Sequence, residues 1–261
     1  MRKTKYQKIS KKEIKRWKKD KQKEWKENAD FWIKIIQKNL DPYRLKITNK
    51  AILERVKKEK NLKILDAGCG EGYLSRMLAK SDHKVFGIDT CKKLIVAAKR
   101  KQVKETKYFV KDFRNTGFPS CFFDIIICHQ TIIEIQNPER AFKEFSRILK
   151  KNGKLILLFS HPCFELNMSQ IKKVPFPLIY FQKIKVKKDY YLVSGIKSPS
   201  CYFYLHLPLS KWSELLEKNG FVIKSIEEPH PPLNALKRNK MWQKKFKKPL
   251  FILIEAVKFF N

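Results

Sequence analysis

Leu65-Asp66-Ala67-Gly68-Cys69-Gly70-Glu71-Gly72 lies between a short apolar run, Lys63-Ile64-Leu65, and a segment, Glu71–Lys80, that reads as a helix. Small residues in a strand-to-helix turn let the backbone approach a ligand closely, and the helix start points free N–H groups at it. A dinucleotide-binding turn of the type G-x-G-x-x-G would carry its third glycine at position 73, where this chain has Tyr73. The spacing is D-x-G-x-G-x-G instead. An acid two residues before the first glycine repels a pyrophosphate and suits a ligand that carries an amino group and a sulfonium.

Outward from this turn the sequence alternates strand and helix. Lys84–Ile88 reads as a second strand ending at Asp89, and Leu94–Lys101 as a helix. Tyr108–Val110 is a third strand ending near Asp112, and Phe123–Cys128 a fourth, buried one. Pro138–Lys150 is a helix with Pro at its first turn and Gly153 past its end, and Leu155–Phe159 is a fifth strand. Continuous apolar strands between amphipathic helices indicate a parallel sheet covered on both faces. The fold class is therefore α/β, a doubly wound and mostly parallel sheet. The rhythm then breaks into an aromatic-rich block at 161–207, an insertion or lid after the fifth strand, in which Tyr190–Val193 and Cys201–Leu207 read as a hairpin. The expected organisation is an N-terminal helical arm or cap at 1–60, an α/β core at 61–160, the insertion at 161–207, and a helix with the last two strands at 208–261.

Acids recur at the strand ends. Asp89 stands 23 residues after Asp66, where a carboxylate accepts both hydroxyls of a ribose. Asp112 is placed to accept from an adenine amino group, with Phe113 beside it as a stacking face. In these stretches the chain resembles the class I S-adenosylmethionine-dependent methyltransferases of the small-molecule type. LDAGCGEGYLS is similar to the first motif of that family, VFGID to its second, FDIIICHQTIIEI to its fourth, and ERAFKEFSRILKKNGKLILL to its helix and fifth strand. The resemblance implies a Rossmann-like methyltransferase fold with S-adenosyl-L-methionine as cofactor. It implies Gly68 and Gly70 against the methionine part, with Asp66 in the same turn, Asp89 on the ribose, and Asp112 with Phe113 flanking the adenine. His129 would line the cofactor. Asp41-Pro42-Tyr43-Arg44 is similar to the segment that supplies an arginine for the cofactor carboxylate, which makes Arg44 the candidate.

Methyl transfer from a sulfonium is an in-line displacement, so the protein need only align the nucleophile and exclude water. A base is required only for some acceptors. Three histidines are candidates for catalysis: His129 after the fourth strand, His161 after the fifth, and His206 at the end of the aromatic hairpin. Glu134 reads as a base or, more simply, as a helix-surface acid. Pro162-Cys163 invites comparison with cytosine-C5 methyltransferases, but it follows the fifth strand rather than the fourth. No residues have metal-ligand spacing.

The 261 residues carry 59 Lys and Arg against 25 Asp and Glu, a formal charge of +34. The charge concentrates in residues 1–30, 170–190 and 231–250. Such a field favours anionic partners, RNA or an anionic surface among them, although lysines scattered through every segment also suit an ordinary solvated surface. With 43 % hydrophobic residues the chain buries a core, so wholesale disorder is excluded. The six dispersed cysteines read as reduced thiols, and no apolar run spans a bilayer, so a cytoplasmic protein is expected. The expected function is methyl transfer to a small organic acceptor. RNA or protein methylation through the basic arms, and an inactive cofactor-binding partner subunit, are the alternatives.

Overall fold

In the computed structural model, which describes residues 5–8, 11–57, 60–165, 180–188 and 190–259, the N-terminal part comprises β1 (Lys5–Lys8), a long helix α1 (Lys11–Gln37), a π-helical turn Arg44–Thr48 and α2 (Asn49–Val56). Strand and helix then alternate through β2 (Lys63–Ala67), α3 (Tyr73–Ala79), β3 (Lys84–Asp89), α4 (Lys92–Arg100) and β4 (Thr106–Val110). β5 (Phe123–His129), α5 (Pro138–Ile148) and β6 (Leu149–Ser160) follow. The insertion holds α6 (Pro162–Glu165), β7 (Ile184–Lys188), β8 (Leu192–Val193), β9 (Ile196–Lys197) and β10 (Tyr202–His206). After it come α7 (Leu209–Glu217), β11 (Phe221–Glu227), α8 (Leu233–Arg238), α9 (Lys240–Lys245) and β12 (Phe251–Lys258).

Seven strands form one sheet in the order β11-β12-β6-β5-β2-β3-β4. The five from β6 to β4 are mutually parallel, and β12 runs antiparallel between β6 and β11. Side chains alternate faces along each strand. On β5, Ile125 and Ile127 pack with Ile52, Leu74 and Leu78 from α2 and α3. Ile126 and Cys128 pack on the other side with Phe142, Phe145 and Trp212 from α5 and α7. Burial on both faces explains the all-apolar strands, each buried Leu or Ile contributing about 1.5–3 kcal/mol. The chain order reverses between β2 and β5, the switch point at which a doubly wound sheet opens a crevice at the carboxyl ends of its strands.

Two expectations need correction. The partner of β10 is β7, with Tyr204 opposite Val186, and not Tyr190–Val193. Residues 192–197 instead form a minimal hairpin of their own, turning through Ser194 (φ 47°) and Gly195 (φ 81°). β1 joins β7 from the other side, so the N-terminal segment and the insertion share a three-stranded sheet. Gly153 does not end a helix. α5 stops at Ile148 and β6 begins at once, and Gly153 sits in a bulge of β6 where a Cβ would lie 2.8 Å from Leu149 Cγ. Lys172, Lys173 and Phe176 lie outside the described residues, as do Lys3 and the side chains of residues 11–20 and 22 of α1. No described helix is long and apolar enough to cross a membrane.

Candidate functional site

The carboxyl ends of β2, β3 and β5 open into a cleft of about 1390 Å³. Its floor is the glycine turn. Gly68 (φ 82°), Gly70 (φ 57°) and Gly72 (φ 77°) are all left-handed. A Cβ at Gly68 would collide with Thr131 and one at Gly72 would lie 2.7 Å from the Tyr108 ring, whereas at Gly70 nothing lies within 4 Å. The turn is thus pinned on two sides and open to the cleft at Gly70. Gly68 and Cys69 donate their N–H groups to the Ile88 carbonyl at 2.8 and 3.0 Å, which ties the turn to the end of β3. Burial beside Asp66 and Asp89 pushes the Cys69 thiol well up, so it stays protonated.

Asp89, half-buried at the end of β3, accepts from the Gly70 N–H at 3.0 Å and the Cys91 N–H at 2.8 Å. Burial outweighs these bonds and pushes its carboxyl up to about 6. Asp66 is placed differently. It does not line the cleft but lies buried beneath the turn, accepting from Ser75 Oγ at 2.6 Å, and it too is pushed up to about 6 by burial. It fixes the start of α3 against β2 and reaches a ligand only through the turn it supports.

Arg44 comes from the other side of the cleft. Asp41 Oδ1 accepts the N–H groups of Tyr43 and Arg44 at 3.0 and 3.1 Å, and this starts the π-helical turn that presents the guanidinium. The guanidinium lies 4.2 Å over the Tyr73 ring and donates to Ile36 O at 3.4 Å. Its Nε and Nη1 are buried with no hydrogen-bond partner. Two unsatisfied donors on a buried cation form a cradle for a carboxylate. His129, at the end of β5, lines the same cleft, and burial together with the Arg44 charge holds its imidazole down to about 4. It is therefore neutral at physiological pH. Asp112 and Phe113 border the far end. Asp112 is held by Arg114 Nε at 2.9 and 3.0 Å, and Phe113 is mostly core, 5.6 Å from the Phe145 ring.

The remaining two histidine candidates are not in the cleft. His161 is buried, with Nε2 3.0 Å from Glu228 Oε1 and Nδ1 accepting the Cys163 N–H at 3.3 Å. His206 is buried with Nε2 2.9 Å from the Tyr180 carbonyl. Both are tied into packing beside the sheet. Glu134, read from the sequence as a base or a helix-surface acid, does line the cleft. On a short 3₁₀ turn after β5, it accepts from Lys21 Nζ at 3.0 Å, Trp25 Nε1 at 3.1 Å and the Tyr191 hydroxyl at 3.2 Å. Trp25 and Trp32, seven residues apart on α1, line the cleft as well. Their spacing in a lysine-rich helix was the available signal. Among the described residues no group of three or more His, Cys, Asp or Glu is placed to hold a metal ion.

Comparison with known proteins adds to this geometry. Residues 65–157 match the family described as a methyltransferase domain. Residues 65–157 thus form a methyltransferase domain. Over 156 residues it is 32 % identical to the ubiquinone biosynthesis O-methyltransferase of Pelagibacter ubique, covering 56 % of this chain and 62 % of that one. Over 114 residues it is 31 % identical to phosphoethanolamine N-methyltransferase 1 of Arabidopsis thaliana, covering 42 % of this chain and 23 % of that one. The chain thus spans less than two thirds of the length of either relative. The crystal structure of an S-adenosylmethionine-dependent methyltransferase from Mesorhizobium loti superposes with a TM-score of 0.61 at 18 % identity, covering 80 % of this chain and 95 % of that one, a likeness of fold.

The methyltransferase domain fits its cofactor on grounds of its own chemistry. The bare Cβ position of Gly70, the unsatisfied Arg44 donors and the Asp89 carboxylate meet, respectively, the needs of a close-lying chain, a carboxylate and a diol.

Proposed function

We propose that the protein methylates a small organic acceptor at the end of the cleft walled by aromatic side chains. S-adenosylmethionine, when bound, supplies an electrophilic methyl group on a sulfonium. Arg44 would hold its carboxylate, Asp89 its ribose, and Asp112 its adenine. The chain's own residues then have three tasks: to orient the acceptor, to keep water out, and to take up a proton where the acceptor has one to lose. His129, held neutral, supplies a hydrogen bond and is a weak base at pH 7, since its imidazole titrates near 4.

The observation that carries the acceptor class is the roof. α1 contributes Trp25, Trp32 and Ile36 to the cleft and the insertion contributes Tyr191, Leu192, Val193, Tyr202 and Tyr204. Tyr191 stacks on Tyr202 at 3.8 Å and meets Trp32 edge-on at 4.9 Å. A roofed, ring-lined cleft suits a compact apolar or aromatic molecule. The names of the relatives fit O- or N-methylation of small molecules, and the ring-lined wall favours a ring hydroxyl. A second reading, RNA or protein as acceptor, has Lys245 and Met241 at the lip of the cleft in its favour, next to the basic helices α8 and α9.

Incubation with methyl-labelled cofactor and fractionated small-molecule, RNA and protein pools separates these readings. Label is expected in an organic-extractable small molecule. Label in RNA or protein overturns this reading, and cofactor binding without label in any pool makes the chain a partner subunit.

A further inference from the structure

The polar contacts beneath the first described side chains of α1 are not among those assigned above to the cofactor. Lys21 donates to Glu24 Oε1 at 2.8 Å, to Glu134 Oε2 at 3.0 Å and to the Phe203 carbonyl at 3.0 Å. Glu24 Oε2 accepts the Phe203 N–H at 2.9 Å, and the Tyr191 hydroxyl lies 3.4 Å from Glu24 Oε1 and 3.2 Å from Glu134 Oε1. Asn28 continues the seam, accepting from Ser200 N–H at 3.0 Å. One helix is thereby joined at once to the insertion, through β10 and Tyr191, and to the core, through the turn after β5. α1 also lines the cleft, through Lys21, Trp25, Lys26, Trp32 and Ile36.

We propose that Lys21 and Glu24 are positioning residues which, acting through Glu134 and Tyr191, latch α1 over the bound cofactor and set the rate at which it is exchanged. This rests on the cofactor reading above. The hydrogen-bonded stretch of α1 from Lys21 to Asn28 parts at less cost than the stretch that buries Ala29, Phe31 and Ile35, because its groups find water when it opens.

The latch responds to pH. Glu24 is buried at 1 % exposure and faces Lys21 on its own helix, Glu134 and Tyr191 on the facing elements, and the Phe203 backbone on β10; Lys188 of β7 borders the same wall over Tyr202 and Tyr204. With both carboxylates ionised the single ammonium leaves one buried charge unmatched. Burial accordingly pushes the Glu24 carboxyl from 4.5 to about 7 when α1 is seated. Once protonated, Glu24 has a proton to share with the Tyr191 oxygen, while Tyr191 donates to Glu134. A raised pKa in the seated state means that seating takes up a proton. The latch is strongest below the open-state value of 4.5, weakens as pH rises toward about 7, and changes little beyond.

The test is stopped-flow release of S-adenosylhomocysteine from the full-length protein, read by tryptophan fluorescence and repeated from pH 5 to 8. Lys21→Met should release it about tenfold faster or more, and Lys21→Arg should recover most of that loss. The ratio of wild-type to Glu24→Gln release rates should rise with pH, because Asp89 titrates alike in both and only the wild type has Glu24 to ionise. Wild-type rates in Lys21→Met, or the same pH dependence in Glu24→Gln, overturn the latch. A wild-type protein that binds no S-adenosylhomocysteine overturns the cofactor reading instead, and thermal melts of each variant identify one that has failed to fold.

Discussion

The floor and the roof of the cleft are made in different ways. The floor is backbone and short side chains from consecutive elements, Gly68 to Asp112, fixed by the sheet itself. The roof is long side chains from distant parts of the chain: Lys21 meets Phe203 across 182 positions and Trp25 meets Glu134 across 109. A floor of this kind is rigid and reads one fixed ligand. A roof held by side-chain bonds can be rebuilt around different acceptors without disturbing the sheet, as different chemistries on one fold require.

Substitutions should separate the two. Gly68→Ala attacks the floor most severely, since the φ of 82° and the Thr131 side chain both oppose a methyl group. It should cost roughly 2–4 kcal/mol of stability in denaturant melts and abolish cofactor binding. Asp89→Ala should keep the fold but weaken S-adenosylmethionine about 100-fold by calorimetry. In the wild type, affinity should be level above the Asp89 value of about 6 and fall as pH drops below it, because the ribose diol binds the ionised carboxylate and protons compete with it. Asp66 titrates in the same range, so the part of the pH dependence that disappears in the weakly binding Asp89→Asn is the contribution of Asp89. Arg44→Leu should weaken S-adenosylmethionine about tenfold while sparing methylthioadenosine, which lacks the carboxylate. Equal losses for both would make Arg44 a support for Tyr73 only. The smallest effect on the cofactor belongs to the roof: Trp32→Ala should leave its affinity within about threefold and lower acceptor kcat/KM about tenfold. A large loss of cofactor affinity there would erase the distinction between floor and roof.

The floor was legible in the sequence because its signals are local. The D-x-G-x-G-x-G turn, the acid ending β3 and the apolar strands each lie within a short window. Asp66 shows the limit of such reading. Its position marks the turn, but only the fold reveals that it bonds Ser75 under the turn instead of facing the cleft. The roof was hidden for physical reasons. β7, Ile-Lys-Val-Lys-Lys, looks like a solvated charge run, yet Ile184 and Val186 are buried and the Lys185 ammonium lies 4.3 Å over the Phe203 ring. That stacking lets a lysine-rich segment form the middle strand of a sheet. Glu134 reads as a surface acid until Lys21 arrives from α1. His161 and His206 end strands as catalytic residues often do, but Glu228 and the Tyr180 carbonyl hold them beside the sheet.

The place of β12 has a kinetic consequence. It follows β11 in the chain but lies between β11 and β6. Until β12 docks, β11 has no strand to pair with and the β6 border is an open ladder of unpaired amides, the kind of surface on which nascent chains stick to one another. Closure therefore waits on contacts far apart in sequence, and a slow final folding phase, sensitive to protein concentration and relieved by a chaperone, belongs at this seam.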